Sequence, residues 1–198
     1  AAVAWAVVLL FQGRELYLSD MAPYGAVVGV LMVAALLMEK VLWRMPWLHG
    51  WFVQRPDLRG TWKVTLQSDR INQATGLPIE PIICYIGVKQ TLSNLHMHLM
   101  SSESESWLFA CSVIRTPCET GYQLVGVYEN RPQIHLRSST SVMHYGALIV
   151  EAHGSSTLRP ETMTGEYWTD RMTRGRMTFS SRSKTVYTQF AQAQRHLP

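Results

Sequence analysis

A small antiparallel β-barrel carried behind two membrane-spanning helices is the architecture this sequence predicts. Three observations lead to it. Residues 1–11 and 21–38 contain no charged side chain. From residue 58 onward long apolar runs cease, and apolar residues recur at every second position. Turn signals then divide that region into about eight short strands, with no long helical pattern between them. Eight sequential antiparallel strands can close on themselves and remove their exposed edges. An open sandwich is the alternative.

The N-terminal region comes first. The chain has 198 residues, of which 47% are hydrophobic and only 16% charged, a balance that calls for a membrane part. The uncharged run "MAPYGAVVGVLMVAALLM" reaches the length of a transmembrane helix. "AAVAWAVVLLF" is short of the roughly 20 residues a span needs and is expected to be the tail of a first span. A signal peptide fits poorly, because no basic segment leads it and a second span follows. Arg14 in the connector is balanced by Glu15 and Asp20, whereas Lys40, Arg44, Arg55, Arg59 and Lys63 follow the second run. That asymmetry predicts a cytoplasmic C-terminal part. The expected organisation is two transmembrane helices in 1–45, an interfacial linker in 46–57 and a barrel in 58–198. Trp43, Trp47, Trp51 and Phe52 stand where an aromatic belt would sit. Gly25 and Gly29 are spaced to permit close helix approach in lipid. Cys84, Cys111 and Cys118 form no paired or metal-type pattern and read as free thiols in a reducing compartment.

The strands follow in order. "GTWKVTLQS" places Trp62, Val64 and Leu66 on one face and Lys63, Thr65 and Gln67 on the other. "PIICYIGVKQT", "NLHMHLMS", "SWLFACSVI", "GYQLVGVYEN", "HYGALIVEA", "MTGEYWTD" and "GRMTFSSR" continue the series. The predicted fold is thus mainly β, an eight-stranded up-and-down barrel of the calycin or lipocalin kind, wide enough to be packed with side chains or to hold one small ligand. "TVYTQFAQAQRHL" has helical spacing and is expected to lie as a short helix across one barrel end.

Catalytic chemistry is hard to find. No phosphate-binding Gly-rich loop and no nucleophile elbow is present, and an enzyme is not expected. His96 and His98 share a strand face but lack an evident third metal ligand. Binding chemistry is better represented. Tyr122, Tyr128 and Asn130 share one parity of their strand, and Tyr167 and Thr169 share a face opposite Trp168. Arg137 and Ser139, with their neighbours, supply anion-compatible donors. Tyr85 and Arg171 complete the candidate set. Aromatic stacking combined with an arginine on phosphate is what a nucleotide ligand requires. Packing of the tyrosines in the core is the alternative. In "EYWTDRMTRG" the first six residues are expected to be strand and "MTRG" its turn, with Asp170 a structural partner for one of Arg171, Arg174 and Arg176.

The order of "RPDLRGTWKVTLQSD", "TGLPIEPIICYIGVKQT", "ESES", "YEN" with "RP", "RSST" and "EYWTDRMTRG" behind two apolar runs resembles the two-transmembrane, β-strand-rich effectors of cyclic-oligonucleotide anti-phage systems (CBASS). The resemblance implies a barrel that senses a cyclic dinucleotide made by a partner cyclic-nucleotide synthase. It also implies self-association of the spans, disruption of the bacterial inner membrane and death of the infected cell. The partners so implied are that second messenger, the lipid membrane and further copies of the chain, with no DNA or RNA and no cofactor. Two rival functions remain open: a membrane-tethered carrier of an apolar ligand, and a ligand-free assembly protein.

Overall fold

The computed structural model describes residues 7–8, 10–13, 22–72, 75–115, 121–136, 142–153 and 159–198. Contacts divide the chain into two units, Ala1–Trp43 and Arg44–Pro198. The first contains helix α1, Ala22–Lys40. Its Ala, Leu and Met content favours helix, and Pro23 stands in the first turn, where a missing amide costs nothing. Val27, Val30, Leu31, Val33, Leu36 and Leu37 are all exposed, so α1 is apolar around its whole circumference. Among the described residues no helix is long and apolar enough to cross a membrane. Most of the expected first span lies outside the described residues.

The second unit is a closed barrel of eight strands in sequence order. They are β1 Gly60–Ser68, β2 Ile82–Gln90, β3 Leu95–Met100, β4 Ser104–Arg115, β5 Tyr122–Pro132, β6 His144–His153, β7 Thr162–Thr169 and β8 Arg174–Ser183. Every neighbouring pair is antiparallel, and β1 pairs with β8 to close the wall. Each strand forms close to where the period-two alternation places it, except that β7 ends at Thr169, so Asp170 and Arg171 fall in the turn while Arg174 and Gly175 already belong to β8. The inward residues build one core from Trp62, Val64, Cys84, Ile86, Val88, Met97, Leu124, Leu148, Val150, Met163, Met177 and Phe179.

The two ends of the barrel differ in how fully their inward residues fill the lumen. Near the base, where β1 begins, Trp62 and Phe179 meet edge to face at 6.1 Å. Leu58 plugs this end, held by its amide on the Gln90 side chain at 2.9 Å and by the Trp62 indole on its carbonyl at 2.9 Å. Gln90 also donates to the Pro56 carbonyl at 2.8 Å. Beside the plug, Arg59, Arg182 and Arg159 approach the buried Asp57 carboxylate at 2.8, 3.5 and 3.5 Å. At the other end Ser104, Ser106, Gly146, Thr169 and Gly175 stand among the larger Tyr128, Asn130, His144 and Tyr167, and the lumen is hollow there.

Two expectations are corrected. The C-terminal helix α2, Phe190–His196, does not lie across a barrel end. It packs on the outer wall, where Ala193, Leu197 and Phe190 cover Tyr85 and Met100. Among the described residues no ion pair joins Asp170 to Arg174 or Arg176. The Asp170 carboxylate accepts the Tyr145 amide at 3.2 Å, while Arg174 reaches Asp69 at 3.1 Å through Nε. The physical reason is the turn itself. Met172 takes a positive φ of 62°, β8 begins at Arg174, and Arg174 is thereby brought alongside the end of β1.

Candidate cyclic dinucleotide site

The hollow end is a cavity of about 750 Å³, within the range of pockets that enclose a small-molecule ligand. Its floor is apolar, formed by Leu66, Ile86, Met97, Leu108, Leu148 and Met177. Its wall carries Tyr128 from β5 and Tyr167 from β7, and Arg70 and Arg171 stand at the mouth.

Both tyrosines have room because a glycine faces each of them across the sheet. Tyr128 pairs with Gly146, and Tyr167 with Gly175. A Cβ on Gly146 would fall on the Tyr128 ring, and one on Gly175 would stand 2.8 Å from Tyr167. The rings therefore lie flat along the wall and leave the lumen open. Burial raises the phenol pKa of both above its ordinary value. At Tyr128 the neighbouring Tyr167 adds to that rise; at Tyr167 a hydrogen bond with Ser68 opposes it. Both are neutral hydroxyls at pH 7, able to donate to a ligand.

A hydroxyl-rich shelf lies beside them. Asn130 donates to Ser106 Oγ at 2.8 Å and to Ser104 Oγ at 3.1 Å, which fixes the orientation of its amide. His144, opposite Asn130 in register, is buried with Nδ1 3.0 Å from the Val142 carbonyl. Burial lowers its pKa below the usual histidine value, with the Arg171 charge acting the same way and the Val142 contact and Asp170 acting against it. The imidazole is neutral at pH 7, so the positive charge around the cavity belongs to arginines.

The arginine clasp at the mouth joins two loops. The Arg174 amide and Nε both donate to the Asp69 carboxylate, at 3.0 and 3.1 Å, and the Asp69 amide donates to the Arg174 carbonyl at 2.9 Å. Asp69 immediately precedes Arg70, and Arg174 lies three residues after Arg171. The clasp therefore sets the spacing of the two mouth cations.

The candidate residues separate clearly. Tyr128, Asn130, Tyr167, Thr169 and Arg171 all line the cavity. Tyr122 has the same inward parity as Tyr128 but lies at the other end of β5, away from the cavity. Tyr85 points outward; its hydroxyl donates to the Leu197 carbonyl at 2.9 Å beneath α2. Arg137 and Ser139 lie outside the described residues. The sequence reading missed Arg70, Ser104, Ser106 and the lumen position of His144. Leu148 and Val150 gave a usable signal for His144, since residues two apart share a face. Because Tyr85 serves the outer wall, Tyr85→Phe is expected to leave ligand affinity unchanged and to cost about 1 kcal/mol of stability for the lost hydrogen bond. Thermal melting together with calorimetric titration checks both parts.

The family model described as "Cap15, cyclic dinucleotide receptor domain" matches residues 53–181, more than half of the chain and nearly the whole barrel. The chain belongs to the Cap15 family. No curated protein matches it closely enough to add a relative. Membership makes the barrel a cyclic dinucleotide receptor domain of a CBASS effector, with a ligand-binding role. The Cap15 barrel and the cavity suit each other chemically. A cyclic dinucleotide presents two flat bases and two phosphodiesters, and the cavity offers two aromatic rings, an apolar floor and two guanidinium groups. Among the described residues no cluster of three or more His, Cys, Asp or Glu side chains could hold a metal ion.

Proposed function

We propose that the cavity at the mouth of the barrel is where the Cap15 domain takes its cyclic dinucleotide, and that occupancy drives self-association of the apolar N-terminal segments in the bacterial inner membrane. The barrel then faces the cytoplasm. The consequence is membrane disruption and death of the infected cell, with a cyclic-nucleotide synthase as functional partner. The observation that carries the ligand part is the pairing of Tyr128 and Tyr167 with Arg70 and Arg171 around one cavity. The membrane part is supported by the uncharged run of residues 21–38 and by the exposed apolar side chains around α1.

Calorimetric titration of the chain with a panel of cyclic dinucleotides tests the ligand part. Arg171→Ala is expected to weaken binding about ten-fold or more, since a charge-assisted hydrogen bond to phosphate contributes roughly 1.5–3 kcal/mol. Unchanged affinity in a folded Arg171→Ala chain would remove this residue from the site. Binding of fatty acids in place of nucleotides would favour the apolar-carrier function instead. Release of a trapped dye from vesicles, dependent on both protein and cyclic dinucleotide, tests the membrane part.

A further inference from the structure

The segment leading into the barrel carries a second surface, separate from the cavity. Residues 46–53 fold as a tight turn. A 3-10 turn occupies Pro46–Leu48, and the Phe52 and Val53 amides both donate to the Leu48 carbonyl, at 3.1 and 2.9 Å. Gly50 closes the turn at φ +96°, a conformation that a side chain would strain. Leu48 and Val53 are buried and anchor the turn. Trp47, Trp51 and Phe52 are displayed outward, at 66, 67 and 57% exposure. They are held in place. The Trp51 indole donates to the Trp47 carbonyl at 2.7 Å, and its ring centre stands 5.6 Å from that of Phe52. A backbone so fixed, presenting three large aromatic side chains to solvent, marks an interaction surface.

Cations surround this turn in sequence and at the barrel base. Between Arg44 and Lys63 there are four of them, Arg44, Arg55, Arg59 and Lys63, against the single anion Asp57. Arg55 lies two residues beyond Val53 and donates to the Ser93 carbonyl at 3.3 Å, so the chain crosses the base beside the β2–β3 turn. Arg59, Arg159 and Arg182 converge on Asp57, three positive charges on one negative. The exposed Lys184 adjoins Gly60 at the same end.

Indole and phenyl rings favour the boundary between headgroups and acyl chains, while Lys and Arg beside them reach lipid phosphates. We infer that the base of the barrel, through Trp47, Trp51, Phe52 and the adjacent cations, docks on an anionic bilayer surface. The inference rests on the membrane reading of α1 given above. Charge complementarity selects anionic lipid over neutral lipid, and chain continuity selects lipid over a protein partner. Trp47 follows Lys40, the last residue of the all-round apolar α1, by only seven positions. Docking by the base turns the cavity mouth, at the opposite end of the barrel, toward water and its soluble ligand.

The test uses the full chain with vesicles of phosphatidylcholine, alone or with added phosphatidylglycerol, and reads amide hydrogen exchange over residues 46–59. Exchange is expected to slow about ten-fold or more with phosphatidylglycerol vesicles and far less with neutral ones. The Trp47→Ser, Trp51→Ser, Phe52→Ser chain should lose that protection while still co-sedimenting through α1 and binding cyclic dinucleotide. Co-sedimentation without protection overturns the docking surface and leaves the membrane reading of α1 standing. Equal protection by both vesicles overturns the anionic-lipid assignment. Protection that rises with protein concentration in the absence of vesicles assigns the surface to a second copy and overturns the inference. Failure to co-sediment with either vesicle overturns both readings.

Discussion

A chain carrying Asp57→Asn is expected to melt roughly 5–15 °C below the wild type. The substitution keeps the shape of the side chain and removes the carboxylate on which Arg59, Arg159 and Arg182 converge. Removing one partner of a buried ion pair costs about 3–5 kcal/mol. Here the arginines reach solvent, which screens part of their repulsion, so about 2–4 kcal/mol is expected. At 2–4 °C per kcal/mol for a chain of this size, that gives the stated shift. The difference should also depend on pH. Burial works against the Asp57 charge, but hydrogen bonds and charge from Arg59, helped by Arg182, outweigh it and hold the carboxyl below its ordinary pKa. A carboxylate with a depressed folded-state pKa stabilises the fold above its unfolded value, near 4, and that contribution is lost as pH falls through the folded value. The gap between wild type and Asp57→Asn should therefore be constant from pH 7 to about pH 5 and narrow below about pH 4. Melting curves at pH 7, 5 and 3.5 measure it, and a gap that widens on acidification would contradict the network described.

The second large effect is expected at Gly146. Valine suits strands in general, so propensity alone predicts a gain from Gly146→Val. The structure predicts the opposite. A side chain here would fall on the Tyr128 ring and stand 2.6 Å from the Trp168 carbonyl. Overpacking of this kind costs about 1–3 kcal/mol. It also drives Tyr128 off the wall and into the cavity, so cyclic dinucleotide affinity should fall more than ten-fold. Adding Tyr128→Ala should recover part of the stability, leaving the Trp168 contact, and none of the affinity. Thermal melts and titrations of the two single variants and the double variant measure both. A more stable Gly146→Val chain with normal affinity would show that the ring does not lie on Gly146.

The barrel was legible in the sequence because its strands alternate cleanly. Trp62, Val64 and Leu66, or Leu148 and Val150, declare an inward face with no knowledge of the partner strand. The same parity placed Tyr128, Asn130, Tyr167 and Thr169 together. Parity says nothing about depth, however, which is why Tyr122 was grouped with Tyr128 although it sits at the opposite end. Parity also fails where both faces are apolar. In β2, Cys84 and Ile86 face the core while Tyr85 is covered by α2, and only the position of that helix, more than a hundred residues later, distinguishes the two sides. The clasp of Asp69 with Arg174 and the convergence of Arg159 and Arg182 on Asp57 were invisible for the same reason. Each joins residues about a hundred or more positions apart through closure of the wall.

Closure has a kinetic consequence. Seven of the eight strand pairings join consecutive strands and can grow from any hairpin. The eighth, β1 with β8, brings together Gly60–Ser68 and Arg174–Ser183. Joining ends separated by that much chain costs about 4 kcal/mol of loop entropy, much more than a hairpin turn. On loop entropy alone the seam is expected to be the last pairing to form. The cavity straddles it, with Ser68 and Arg70 on one side and Arg171 and Thr173 on the other. A ligand in the proposed site would thus be a staple across this joint. Interactions absent from the folding transition state slow unfolding and leave folding unchanged. A cyclic dinucleotide held in the proposed site is therefore expected to lengthen the lifetime of the closed barrel without hastening its assembly.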